Sequence, residues 1–180
     1  MKLVILDRDG VINQDSVNCI KNPNEWIPIP SSLEAIALLN QSGFRVAIAT
    51  NQSGIARGLF DMATLNAIHD KMCRALAHVG GRIDALFYCP HSADDHCTCR
   101  KPKTGMIEDI SRRFSVDLRD VYAVGDAPRD IQAFADADCR PMLVLTGKGE
   151  ETLLQGNLPE GTLVFADLNE AVQHIISEHV

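Results

Sequence analysis

The sequence predicts an α/β fold, a parallel sheet with helices on both faces, and two observations carry that expectation. Short apolar runs alternate along the chain with segments of helical periodicity, the pattern of successive β-α-β units. Three of those runs stop at, or one glycine before, a polar side chain with ligand chemistry: Asp7, Thr50 and Asp126. In open parallel sheets, ligands bind outside the C-terminal ends of the strands.

The first run is Leu3-Val4-Ile5-Leu6. It is too short for a helix and suits a strand buried on both faces. A carboxylate is not tolerated inside such a sheet, so Asp7 marks the strand's end. Asp9 and Gly10 follow, and the glycine permits a sharp turn. Two carboxylates this close suit a hard cation such as Mg²⁺. An ordinary polar turn explains the same residues equally well, taken alone.

A length of 180 residues suits one domain, expected over 1–180. Seventeen Lys and Arg against 24 Asp and Glu leave a formal charge of −7, which argues against non-specific nucleic-acid binding. No apolar run is long enough for a bilayer, so no membrane partner is expected. The N-terminus enters a strand directly, without a signal-peptide pattern. Three of the six cysteines crowd between positions 89 and 99, a metal-site pattern in a reducing compartment. A cytoplasmic location is expected.

Residues 11–30 carry scattered Asn, Asp and Pro and the one tryptophan, Trp26. They read as a long loop or small flap packed down by Trp26 and Ile27. Ser31 and Glu34 have capping-box spacing ahead of a helix whose apolar positions include Leu33, Ile36 and Ala37 and which stops near Gly43. Arg45–Ala49 is a second strand, ending in Thr50-Asn51-Gln52-Ser53-Gly54. A hydroxyl and polar residues at a strand end form a phosphate-oxygen cradle, or again a plain turn. Arg57 brings a cation near it.

Asp61 is the expected N-cap of a long helix with one face marked by Met62, Leu65, Ile68, Met72, Leu76 and Val79, ending at Gly80-Gly81. His69, Cys73 and His78 read as filler or surface. Ala85–Tyr88 is a third strand. Cys89, His91, Cys97 and Cys99 then form a C-x-H-x₅-C-x-C cluster, three thiols and an imidazole in eleven residues. Such a set is a closed tetrahedral Zn²⁺ site that staples the 89–103 loop. His96 is a spare nitrogen. Arg100, Lys101 and Lys103 follow at once, a source of positive charge for an anion or a solvated basic turn. A helix starts at Thr104-Gly105. Val121–Val124 is a fourth strand, and Asp126 meets Asp7 and Asp9 if the two strands are neighbours. Met142–Leu145 is a fifth strand and Leu163–Phe165 an edge strand. Asp167 caps a closing helix.

The ordered set Asp7-Arg8-Asp9-Gly10, Thr50-Asn51, Arg100-Lys101-Pro102 and Gly125-Asp126 resembles the haloacid dehalogenase superfamily of phosphohydrolases, and so implies their Rossmann-like fold. With Thr50 to Gly58 and the Cys/His loop, the pattern is most similar to the D-glycero-D-manno-heptose 1,7-bisphosphate 7-phosphatase family. Histidinol-phosphate phosphatase is the sister family. The resemblance runs from Leu3 to about Gly149. It implies that Asp7 is the nucleophile and Asp9 the general acid and base. Mg²⁺ is then held by Asp7, Asp126 and the backbone carbonyl of Asp9. Thr50 and Lys101 stabilise the phosphoryl group. Substrate contact falls to Asp7, Arg8, Asp9, Asp15, Thr50, Asn51, Gln52, Ser53, Arg57, Arg100 and Lys101. It implies a sugar bisphosphate substrate. No insertion of domain size separates the motifs, so no large cap domain is expected, and the chain is expected to be a monomer. The segment Gln14–Cys19 lacks a His-Gly-Tyr stretch that some members carry, and Ala127-Pro128 follows Asp126 where many have a polar residue. Histidinol-phosphate phosphatase is the alternative among enzymes, a non-catalytic member that binds a sugar phosphate or a protein partner is the alternative from another class, and a nucleic-acid end-processing phosphatase is a third.

Overall fold

The buried run Leu3–Leu6 (β1) lies at the centre of a six-stranded parallel sheet in a computed structural model that describes residues 1–180. The other strands are Arg45–Asn51 (β2), Ala85–Cys89 (β3), Tyr122–Gly125 (β4), Arg140–Val144 (β5) and Leu163–Phe165 (β6). Their order is β3-β2-β1-β4-β5-β6. The chain moves outward from β1 to β3, then crosses back to place β4 on the other side of β1, with Ile5 opposite Ala123 and Leu6 opposite Val124. That reversal opens a crevice beyond the ends of β1 and β4.

Side-chain alternation divides the core in two. Val4, Leu6, Val46, Ile48, Val124 and Met142 face one side and pack under Pro30–Gln41 (α1), Met62–His78 (α2) and Leu168–Ser177 (α6). Leu3, Ile5, Ala47, Ala49, Ala123 and Leu143 face the other, under Gly105–Phe114 (α3) and Pro128–Asp136 (α4). β1 is buried on both faces, which is why it is written as an unbroken apolar run. No helix is long and apolar enough to cross a membrane.

The expected caps at Asp61 and Asp167 form, accepting from Thr64 N–H at 2.8 Å and Glu170 N–H at 2.9 Å. The expected box at Ser31 does not. Pro30 occupies the first helical turn, where its fixed φ is already helical and its missing N–H costs nothing, so α1 starts upstream with Ile29 as an uncapped N-cap. The hydroxyl used here is that of Ser32, buried and donating to Val11 O at 2.6 Å. Four strands, β2 to β5, begin or end a residue or two away from the expected positions, and the sequence pattern does not show a short helix, Gly149–Gln155 (α5). Its seven residues carry too little apolar periodicity to stand out.

The 11–30 loop is a packed flap. Trp26 is fully buried and joins Val11, Ile12 and Ile20 in the core under α1 and α2. Lys71 of α2 donates to Pro23 O at 2.7 Å and Trp26 O at 2.9 Å, holding the flap's far side. No cap domain interrupts the strands. Trp26→Ala should therefore cost about 3–5 kcal/mol of stability in denaturant unfolding, the usual cost of emptying a buried tryptophan site. A loss below about 1 kcal/mol would mean that the Lys71 contacts hold the flap without it.

Candidate active site

The ends of β1, β2 and β4 converge on a buried polar cluster. Asp7, the first residue beyond β1, accepts two donors on Oδ1: the Arg8 N–H at 2.8 Å and the Lys101 ammonium at 3.1 Å. Lys101 comes from the loop after β3 and is buried throughout. Asn51 places it, donating to Lys101 O and accepting from Lys101 N–H, both at 3.0 Å. The ammonium also donates to Ala49 O at 2.7 Å and pairs with Asp130 at 2.8 Å. All three N–H groups of Lys101 are thus committed to the protein. The sequence offered Arg100, Lys101 and Lys103 as one basic group, and the structure separates them. Lys101 points into the core, Arg100 lines the cleft, and the exposed Lys103 donates to Cys97 O.

Asp130 was absent from the expected site. It is fully buried one turn into α4, where its carboxylate accepts the N–H groups of Asp126 and Ala127 at 3.2 and 3.1 Å. The signal for it was the Asp126–Asp130 spacing, which places an acid in the first turn after a strand end. Asp126 lies against two glycines. A Cβ on Gly10, whose φ is +85°, would sit 2.0 Å from Asp126 Oδ2, and one on Gly147 would sit 2.3 Å from it. Only bare backbone permits this approach. The same Oδ2 accepts from Lys148 N–H at 2.9 Å.

Charge in this cluster does not balance. Three carboxylates, Asp7, Asp126 and Asp130, lie within 4.8 Å of one another around one ammonium. Burial, and then the charge of Asp130, pushes the Asp7 carboxyl up to about 7. Burial, and then Asp7 and Asp130, pushes Asp126 up to about 9. Asp130 behaves oppositely: burial disfavours its charge, but Lys101 and the backbone donors outweigh that and hold its carboxyl well below the usual range. Its oxygens are occupied. The unbalanced pair is Asp7 and Asp126, and their donor set fits a hard divalent cation such as Mg²⁺.

Asp9 turns its carboxylate elsewhere, so of the expected metal set it has only its backbone carbonyl to offer. Oδ1 accepts from Arg8 Nε at 2.7 Å and Asn13 Nδ2 at 3.0 Å, while Oδ2 accepts from Gln52 Nε2 at 3.3 Å. Burial opposes its ionisation, yet Arg8 and these amide donors keep its carboxyl below the usual range. Thr50 lies buried at the floor, with Oγ1 accepting from Gln52 at 2.9 Å.

Arg8 corrects an expectation. It was placed among the substrate contacts, but its guanidinium is fully buried and spent on Asp9 and on His69 Nε2 at 3.1 Å. Turned to Asp9 and His69, its guanidinium does not reach the cleft lining. The cleft itself, about 230 Å³, is lined by Asp9, Asp15, Asn51, Gln52, Ser53, Arg57 and Arg100 of the expected set. Arg129 and Lys148 also line it and were missed, because each stands alone in its local sequence. Asp15 lies 3.8 Å from Lys148.

Beside the cleft, Cys89, His91, Cys97 and Cys99 bring their ligand atoms within 4.8 Å of one another. Cys89 Sγ stands 3.7 Å from Cys97 Sγ and 3.5 Å from His91 Nδ1. A tetrahedral zinc with bonds of about 2.3 Å to sulfur and about 2.0 Å to nitrogen has edges of about 3.8 and 3.5 Å. His91 Nδ1 to Cys99 Sγ is 3.3 Å, and Cys89 to Cys99 is tighter at 3.0 Å. His96 takes a left-handed turn conformation outside the quartet.

The chain is similar to known proteins along its whole length. A family model described as HAD-hydrolase-like matches residues 98–171. A D-glycero-beta-D-manno-heptose-1,7-bisphosphate 7-phosphatase of Bordetella bronchiseptica is 61% identical over 99% of both chains. The enzyme of that name in Pseudomonas aeruginosa is 55% identical, over 92% of this chain and 93% of its own. The crystal structure of the D,D-heptose 1,7-bisphosphate phosphatase from B. bronchiseptica, complexed with magnesium and phosphate, superposes with a TM-score of 0.98 over 99% of both chains. That from Burkholderia thailandensis, 53% identical, gives 0.80 over 98% of this chain and 99% of its own. With identity this high across the whole fold and site, the chain belongs to the D-glycero-D-manno-heptose-1,7-bisphosphate 7-phosphatase family of haloacid-dehalogenase-like hydrolases and is a phosphatase.

Proposed function

We propose that this phosphatase removes the 7-phosphate of D-glycero-D-manno-heptose 1,7-bisphosphate through an aspartyl-phosphate intermediate. Its product, heptose 1-phosphate, would feed nucleotide-heptose and lipopolysaccharide-core synthesis. The observation that carries this reading is the unbalanced Asp7–Asp126 pair beside a cleft that Asp126 lines and that bears four cationic side chains, Arg57, Arg100, Arg129 and Lys148. One phosphate needs fewer, so the surplus favours a bisphosphate. Histidinol phosphate would bring an amine to a wall of guanidinium groups. The domain is taken as 1–180, acting as a cytoplasmic monomer.

The chemistry follows from the contacts. Asp7 attacks phosphorus as the bond to the sugar oxygen breaks, and Asp9, lining the cleft, gives its proton to the leaving alkoxide. Asp9 is ionised at rest; the arriving phosphate dianion raises its proton affinity, and Asp9 takes up from solvent the proton that it passes to the alkoxide. Asp9 then takes a proton from the water that splits the acyl phosphate and frees Asp7. The Thr50 hydroxyl lies on the floor to donate to the phosphoryl group. Lys101, with every N–H committed, acts as a fixed charge beside Asp7 and not as a free donor. Asp7, Asp126 and the Asp9 carbonyl would hold Mg²⁺, which when bound offsets repulsion between carboxylate and phosphate. Arg57, Arg100, Arg129 and Lys148 bind and orient the rest of the substrate. The cysteine–histidine quartet would hold zinc with no open position, a structural role.

Asp7→Asn keeps the shape but removes the nucleophile, so phosphate release from the bisphosphate should vanish while the melting transition persists. Retention of activity within tenfold of wild type would rule out the covalent route. Elemental analysis of protein prepared without chelator should find about one zinc per chain, and Cys97→Ser should lower stability and expose the 89–103 segment to protease. A zinc-free, fully folded preparation would end the structural-zinc reading. In a substrate panel, kcat/KM should be highest for the heptose bisphosphate. A higher value for histidinol phosphate would transfer the assignment to that reaction while leaving the nucleophile intact.

A further inference from the structure

His69 lies in α2, away from the strand ends, yet it contacts the catalytic machinery through one residue. The chain of contacts is short. Arg8 is fully buried, and a guanidinium has five N–H donors and no acceptor. Nε and Nη2 both stand 2.7 Å from Asp9 Oδ1, and Nη1 stands 3.1 Å from His69 Nε2. Because Arg8 can only donate, His69 must accept there. Its ring is therefore neutral, with the proton on Nδ1. Burial, and then the charge of Arg8, pushes its protonation down to about 3, in keeping with that tautomer.

The geometry also sorts the two oxygens of Asp9. Oδ1 is fixed by Arg8 and Asn13, at 2.7 and 3.0 Å. Oδ2 has only the long 3.3 Å contact with Gln52 and is the oxygen left for proton transfer in the cleft. The aim of Oδ2 depends on where Arg8 holds Oδ1, and the position of Arg8 depends on an acceptor for Nη1. Nη2 has no hydrogen-bond partner beyond its ion pair with Asp9, so losing the His69 acceptor would leave a second buried guanidinium nitrogen without one and favour a shift of the whole group.

We propose that His69 is a positioning residue: as a permanent acceptor for Arg8 it aims the proton-transfer oxygen of Asp9 at the leaving group. The proposal rests on the reading of Asp9 as general acid. It makes the long helix α2 part of the proton-donating apparatus, although none of its side chains lines the cleft.

Leaving-group dependence tests this, read as kcat/KM so that only steps through phosphoryl transfer count. The two substrates are 4-nitrophenyl phosphate, whose phenolate leaves without a proton, and the alkyl phosphate that wild type turns over best. His69→Leu fills the same space without an acceptor. It should lower kcat/KM for the alkyl ester about ten- to hundredfold, part of the range ascribed to general acids, and for the aryl ester less than threefold. His69→Gln, which offers an amide oxygen to Arg8, should stay within threefold of wild type on both. His69→Met is the second apolar variant should Leu impair folding, and melting curves accompany each. Equal losses on both esters, an unaffected His69→Leu enzyme, or a Gln variant as damaged as Leu would overturn the proposal. Asp9→Asn separates the two readings. A loss confined to the alkyl ester upholds Asp9 as the acid whatever His69 does. Equal losses on both esters would remove the acid role, and with it anything for His69 to position.

Discussion

The buried ammonium of Lys101 is the contact on which the rest of the site depends. It stands between Asp7 and Asp130 and also donates to a backbone carbonyl of β2. Without it, two fully desolvated carboxylates would face each other, and breaking a buried pair of this kind typically costs about 3–5 kcal/mol. The pairing ties together three parts of the chain that are distant in sequence: the end of β1, the start of α4, and the loop after β3. It also sets the charge deficit beside it. One positive charge offsets one of the three carboxylates, which leaves the cluster short by two, the charge a divalent ion supplies.

The two faces of the sheet support different parts of this arrangement. The face under α3 and α4 holds Lys101 and Asp130 in place, and Phe134 packs under the ammonium, 5.9 Å from it. The face under α1 and α2 holds the flap through Trp26 and Lys71 and also carries His69. Asp7 is fixed from one side and Asp9 from the other. Both follow the end of the central strand β1, whose backbone position is determined by pairing on both edges.

Much of this was legible in the sequence because the chemistry falls where apolar runs stop. Asp7, Thr50 and Asp126 announce themselves as polar groups at strand ends, and the Cys/His quartet is local enough to be read from spacing. What stayed hidden depends on direction and distance in three dimensions. Three neighbouring cations, Arg100, Lys101 and Lys103, look alike in sequence but part company because Asn51 turns the Lys101 backbone inward. Arg8, flanked by two catalytic carboxylates, resembled a substrate contact and is instead a buried brace. His69 looked like filler for a helix face, since nothing in its own helix reveals that a guanidinium arrives from β1. The capping box at Ser31 failed for a local reason, the proline one residue earlier.

The segment from Cys89 to Lys101 is pinned at both ends. Its first and last few residues converge as a quartet of sulfur and nitrogen atoms, and two residues after Cys99 the lysine must reach its carboxylates. A residue added or lost between Cys97 and Lys101 would draw the ammonium out of register by up to a full residue's reach, roughly 3.5 Å. Between His91 and Cys97 the chain makes only a short exposed turn. An insertion or deletion is therefore best accommodated at residues 92–96, and a loop graft intended to reshape the cleft would have to be spliced there.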